Sequence, residues 1–98
     1  MNQISREKDA FKLDVHGAYL RRTDLSNANL EGANLSGANF TDAILRSANL
    51  KNTILKGTIL RGADLTNAKN LTRAQIETAI IDDRTKLPAL VADMPRAE

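Results

Sequence analysis

His16 is the only histidine in a 98-residue chain that has no cysteine. No disulfide, cysteine-ligated zinc, iron–sulfur cluster or thiol nucleophile can form, and one histidine cannot build a multi-histidine metal centre. The carboxylates nearest to acid–base duty are Asp14, Asp24 and Asp64, each followed by a large apolar residue. A general acid–base pair needs two titratable groups converging on a cleft. These aspartates are spread along the chain and read as wall residues that solvate it or bond neighbouring backbone. No glycine-rich phosphate loop, HExxH helix or nucleophile elbow occurs in the sequence. Asn70-Leu71-Thr72 fits the glycosylation tripeptide and reads as a chance match. The expectation is a non-enzymatic protein with no catalytic residue, cofactor, metal or small-molecule substrate.

What positions these side chains is a period of five. Leu20, Leu25, Leu30, Leu35, Phe40, Leu45, Leu50, Leu55, Leu60 and Leu65 follow one another at five-residue spacing, with Val15 one step before them. Neither a helix nor a flat strand has that period. Two positions ahead of each stands a small residue or Thr, as at Ala18, Thr23, Ala28, Thr53 and Ala63, with Leu13 the bulky exception. Residues two apart in extended chain point to the same side, so each unit turns two side chains inward and one outward. All five glycines, together with Asn27, Asn52 and Asn67, fall two residues after the large apolar position. Both residue types accept the positive φ of tight turns. A chain that turns every five residues winds into stacked coils whose backbone groups pair above and below. That is a β-solenoid.

Composition agrees. Hydrophobic residues make up 42% of the chain and aromatics 3%, so the core is aliphatic and base stacking has few platforms. Fourteen basic residues against twelve acidic give a net charge of +2 with the signs interspersed. No apolar run approaches the ~18 residues of a membrane span, and Met1–Lys12 is charged throughout. The expected location is cytoplasmic, without membrane contact.

The units Ala28-Asn29-Leu30-Glu31-Gly32, Ala33-Asn34-Leu35-Ser36-Gly37, Ala38-Asn39-Phe40-Thr41-Asp42, Ala48-Asn49-Leu50-Lys51-Asn52 and Ala63-Asp64-Leu65-Thr66-Asn67 resemble the pentapeptide repeat family. The resemblance covers residues 13–67, eleven units without insertion. It implies an all-β fold, a right-handed quadrilateral β-helix with four units per coil, and hence nearly three coils. Residues twenty apart then stack, giving inward columns Val15–Leu35–Leu55, Leu20–Phe40–Leu60, Leu25–Leu45–Leu65 and Leu30–Leu50. On the surface, Glu31 is expected beside Lys51 and Arg22 beside Asp42. Arg46, Lys51, Lys56 and Arg61 take the same slot in consecutive units, so they form a belt around four sides, an arrangement poorly suited to nucleic acid.

The chain divides into an N-terminal segment or cap (1–12), the repeat β-helix (13–70) and a C-terminal helix and tail (71–98). Phe11 and Leu13 are expected to plug the first coil, with Met1–Lys8 and Asp93–Glu98 loose. Thr72-Arg73-Ala74-Gln75 reads as a capping box, which predicts a short capping helix over 73–81 with Ile76, Ala79 and Ile80 on its apolar face. Residues 84–98 are expected to lie extended along a wall. Four outward positions break the polar rule: Tyr19, Ile44, Ile54 and Ile59. They are the candidate interaction surface, covered by Leu87, Leu90 and Val91 of the tail or by a second molecule, unless they simply suit an extended backbone. The favoured function is a protein-binding or scaffolding module with an unknown protein partner. A homodimer through a solenoid end or an apolar wall is the further possibility. The alternative, implied by the resemblance, is a DNA mimic that binds DNA gyrase. Family members of that kind are acidic and longer, unlike this chain.

Overall fold

The computed structural model describes residues 13–92. Each unit is a three-residue extended segment followed by a tight turn. The carbonyl of the large apolar residue accepts the N–H of the next unit's small residue, from Val15 to Ala18 at 2.9 Å through to Leu65 and Ala68 at 3.0 Å. The second residue of every such turn has φ between 57° and 71°. Positive φ there alone is the sign pattern of a type II turn. Glycine and asparagine fill most of these positions, but Arg22, Asp42 and Ser47 take the same conformation at 61°, 60° and 60°.

The middle residues carry the pairing. Asp14, Asn34 and Ile54 form one parallel ladder; Tyr19, Asn39 and Ile59 a second; Asp24, Ile44 and Asp64 a third; Asn29, Asn49 and Lys69 a fourth. All are spaced twenty residues apart, so four sides close each turn. One bridged residue per side is too short for a conventional strand; stability comes from stacking turn on turn. The core lies inside: Leu35, Leu45 and Leu50 are 1% exposed and Phe40, Leu60 and Leu65 are 0%. Each such side chain contributes about 1.5–3 kcal/mol by burial. Thr53 and Thr58 occupy small-residue slots, and their hydroxyls donate to the Leu30 and Leu35 carbonyls, both at 2.7 Å.

Beyond Lys69 the course differs from expectation. Helix α1 spans Arg73–Thr78 and starts with the predicted box: Thr72 Oγ1 accepts the Gln75 N–H at 3.2 Å, and Gln75 Oε1 accepts the Thr72 N–H at 2.8 Å. Gln75 Nε2 also donates to the Leu50 and Thr53 carbonyls at 2.7 and 2.9 Å, which fastens α1 to the coil beneath. The helix ends three residues early, at an extended Ala79 (φ −93°, ψ 167°). Ala79-Ile80-Ile81 is itself a small–outward–large triplet, and Ile80 joins the ladder on Ile59 instead of the helix face. A short helix gains little from one more turn, whereas Ile80 gains two backbone bonds, to Thr58 O at 2.8 Å and from Leu60 N at 2.7 Å.

A second such triplet follows. Thr85 is buried with its hydroxyl on the Leu60 carbonyl at 2.8 Å, Lys86 pairs with Asp64, and Leu87 packs against the core. The ladder spacing has grown from twenty residues to 21 and then 22 (Ile59 to Ile80, Asp64 to Lys86). Residues 84–92 therefore stack on the end of the solenoid rather than along a wall. Helix α2, Ala89–Ala92, finishes the description, with Val91 4% exposed. The expectations for Phe11, Met1–Lys8 and Asp93–Glu98 lie outside the described residues; Leu13 is 48% exposed.

Candidate interaction surface

The outward residue of each unit has a local task. Where it is Asp or Asn, its side-chain oxygen accepts the N–H two residues on, inside the turn. Asp14 does so for His16 at 3.1 Å, Asp24 for Ser26, Asn34 for Ser36, Asn39 for Thr41 and Asp64 for Thr66, each of the last four at 3.0 Å. This Asx-type bond explains the recurring Asn and Asp, and of the two roles expected for Asp14, Asp24 and Asp64, solvating the wall or bonding neighbouring backbone, it is the second. His16 Nδ1 also lies 2.6 Å from Asp14 Oδ1 in an exposed pair. Those hydrogen bonds hold the Asp14 carboxyl below its usual range, and Ser26 does the same for Asp24.

Tyr19, Ile44, Ile54 and Ile59 are the units that forgo this bond. Tyr19 is 71% exposed and Ile54 48%, while Ile44 and Ile59 are half-buried. Tyr19 and Ile59 share one side with Asn39 between them, Ile54 stands on the preceding side, and Ile44 on the following side between Asp24 and Asp64. The four therefore do not form one patch. The described part of the tail covers neither of the exposed pair, because it stacks on the solenoid end. Ile80, 39% exposed, sits directly above Ile59 and extends the apolar column. The signal for it was present: Ala79-Ile80-Ile81 repeats the unit pattern one residue out of phase. Arg21 Nη1 donates to the Tyr19 hydroxyl at 3.3 Å, which raises the guanidinium pKa further.

Charged residues pair along the solenoid. Arg46 donates to Asp64 Oδ2 at 3.0 Å. Asp42, expected beside Arg22, is engaged by Arg84 at 3.2 Å, and Arg84 also meets Asp82 at 3.5 Å. Arg84 wins because it rises from the loop two layers above and reaches down past Gly62, which has no side chain to block it. Asn70, Asn49 and Asn29 stack amide to amide, at 2.8 and 3.2 Å. Among the described residues no group of three or more His, Asp or Glu is placed to hold a metal ion. No helix among them is long and apolar enough to cross a membrane.

Comparison with known proteins places this geometry. No curated protein matches the chain. Among solved structures it is similar to the pentapeptide repeat protein Rfr23 from the cyanobacterium Cyanothece 51142, at 32% identity and a TM-score of 0.66, over 79% of this chain and 52% of that one. It is also similar in fold to QnrB1, a plasmid-mediated fluoroquinolone resistance protein, at 21% identity and a TM-score of 0.68, over 83% of this chain and 37% of that one. The chain thus spans about half the length of Rfr23 and less of QnrB1. The model of the pentapeptide repeats matches residues 14–52 and 43–83 in eight copies, and with the five-residue turns and twenty-residue ladders it makes this chain a member of the pentapeptide repeat family.

Proposed function

We propose that the chain is a non-enzymatic protein-binding or scaffolding module. Its body is a solenoid of nearly three coils (13–70), and residues 71–92 of the C-terminal segment close its end through α1 and the triplets that follow it. The observation that carries the reading is the column Tyr19–Asn39–Ile59–Ile80. Large apolar side chains there replace the Asp or Asn that would have stabilised the turn, and Tyr19 and Ile80 stay 71% and 39% exposed. A rigid wall bearing such side chains suits a protein partner better than a small ligand. The cysteine-free composition fits a cytoplasmic setting.

Affinity capture from native extract tests the binding reading. A partner retained by the wild type and lost with Tyr19→Ala plus Ile80→Ser supports it; partners indifferent to both substitutions refute it. Removal of residues 71–98 tests the closing role. The truncated chain exposes the Leu60 and Leu65 layer and is expected to aggregate in size-exclusion chromatography; a stable monomer would contradict the cap.

The second reading, a DNA mimic acting on gyrase, draws on the fold shared with QnrB1, a likeness that carries the fold alone at 21% identity. The net charge of +2 weighs against it, since a mimic of DNA must present dense negative charge. Supercoiling by gyrase is expected to continue unchanged as the protein is added, and inhibition at low micromolar concentration would reinstate the mimic.

A further inference from the structure

The two ends of the solenoid are finished differently. At the C-terminal end Leu71, Ile76 and Val91 lie over the columns at 7%, 2% and 4% exposure. At the other end three of the four columns stop half-covered: Val15, Leu20 and Leu25 are only partly buried, whereas Leu35, Phe40 and Leu45, one turn on, are at most 1% exposed; the fourth column begins at Leu30, which is buried.

The backbone repeats the contrast. Asn34, Asn39, Ile44 and Asn49 each donate an N–H down to the preceding turn, to the carbonyls of Leu13, Ala18, Thr23 and Ala28, at 2.8 to 2.9 Å. Asp14, Tyr19, Asp24 and Asn29 occupy the equivalent places in the first turn, and among the described residues their N–H groups make no such bond. Thr23 stands in the slot from which Thr53 and Thr58 reach a carbonyl beneath, and no such bond is made by it among the described residues. The first turn is thus built as an interior layer whose outer edge no described residue pairs.

The rim of that edge says what fits it. Its four successive corners carry His16, then Arg21 and Arg22, then Ser26, then Glu31. With four corners per turn, the arginine corner and the Glu31 corner are diagonally opposite, as are those of His16 and Ser26. A two-fold axis across the end through the His16 and Ser26 corners lays the arginines of one copy on Glu31 of the other, twice over. The same operation sets Asp14 against Tyr19 and Asp24 against Asn29, so no carboxylate meets its own copy. An axis through the other diagonal would put arginine on arginine and Glu31 on Glu31. An axis through the Asp14 and Asp24 sides would bring like aspartates together.

We infer that the N-terminal end is a self-complementary interface that joins two copies of this chain end to end, with Arg21 and Arg22 of each meeting Glu31 of the other. Such an isologous contact would bury the half-covered columns and engage the free edge in one step. It shares only Tyr19 with the column that runs to Ile59 and Ile80, and its test leaves Tyr19 unaltered, so either proposal can fail alone.

Sedimentation equilibrium on the full chain tests it through a charge exchange. The wild type is expected to be a dimer at micromolar concentration. Glu31→Arg alone, and Arg21→Glu with Arg22→Glu, are each expected to be monomeric with unchanged far-UV circular dichroism, and an equimolar mixture of the two is expected to regain dimer mass. Amide exchange at Asp14, Tyr19, Asp24 and Asn29 should slow as the wild-type concentration rises. A monomeric wild type overturns the inference; if those four amides are nevertheless protected, residues 1–12 of the same chain are the occupant. A dimer that survives both charge variants also overturns it, since the interface then lies elsewhere.

Discussion

Thr58 Oγ1 donates to the carbonyl of Leu35, 23 residues earlier in the chain, at 2.7 Å. Thr58 is fully buried, and the same carbonyl already accepts the Ala38 N–H at 3.0 Å. The small slot thus tolerates a hydroxyl because the coil beneath always offers a carbonyl with a spare lone pair. Replacing Thr58 with Val keeps the volume and removes the donor, leaving the carbonyl with its turn bond. The expected cost is about 0.5–1.5 kcal/mol, read from the urea midpoint. Thr58→Ser should recover part of it, and a neutral Thr58→Val would mean the hydroxyl adds nothing to the stack.

Leu50 lies one turn above Leu30, is 1% exposed, and is tied to the layer above by its N–H to the Lys69 carbonyl at 2.9 Å and by Gln75 Nε2 on its own carbonyl at 2.7 Å. Leu50→Ala removes a methyl-rich side chain from a layer whose walls are held by backbone ladders and cannot collapse into the gap. A loss of about 2–5 kcal/mol is expected from lost burial plus cavity. Equilibrium unfolding showing a much smaller change would place Leu50 outside the core.

Gly57 and Gly62 share a positive φ, 67° and 69°, but not their surroundings. A methyl on Gly57 would meet only the Gly37 backbone, at 3.9 Å, so Gly57→Ala carries the left-handed strain alone, about 1–2 kcal/mol. At Gly62 the methyl would collide with Asp42 Oδ1 and the Arg84 guanidinium, so the ion pair must also move. Thermal unfolding should rank Gly62→Ala below Gly57→Ala. Equal midpoints would show that the Asp42–Arg84 contact has no hold on this corner.

The period of five exposed the solenoid because a single fact, two side chains inward per five-residue unit, is written into nearly every residue from Val15 to Leu65. The tasks of the outward residues were harder to read. Asn34 and Asp64 look like ordinary surface residues until the turn N–H two positions on is placed beside them. Past Lys69 the pattern persists in Ala79-Ile80-Ile81 and Thr85-Lys86-Leu87, but α1 and an extra loop residue shift its phase. A search at fixed spacing passes over both triplets. The unpaired N–H groups of Asp14, Tyr19, Asp24 and Asn29 were not legible, because they depend on which backbone groups lack a described turn beneath.

Acid should weaken the fold through two carboxylates near the C-terminal end. Burial on its own would raise Asp64, but Thr66 and Arg46 outweigh it; at Asp82, burial is likewise outweighed by the Gly62 and Arg84 N–H groups and the Thr85 hydroxyl. Both therefore sit below the ordinary range in the folded chain. A folded-state pKa below the unfolded one stabilises above the unfolded value, near pH 4, and that stabilisation fades as pH falls through the folded value. Urea midpoints should hold steady down to about pH 5 and drop below about pH 4. Asp64→Asn and Asp82→Asn should each lessen the drop, and an unaltered drop in both would assign the acid sensitivity to other groups.

Duplex DNA gives the last test, because the basic excess and the geometry point in opposite directions. Arg46, Lys51, Lys56 and Arg61 follow one another at five-residue spacing on a frame that turns a corner every five residues, so each faces a different way. Arg46 is already engaged by Asp64, and Asp42 and Asp82 hold Arg84. A duplex lying against any one side would meet few free cations, and end-to-end pairing of two copies would leave their belts separated along the axis. Binding should be no tighter than the ~10⁻⁴–10⁻⁶ M of generic cationic surfaces near physiological salt. Anisotropy titration at several salt concentrations reads this directly. Submicromolar affinity with a steep salt slope would require several cations converging on one surface, and would replace the protein-binding reading with a nucleic-acid one.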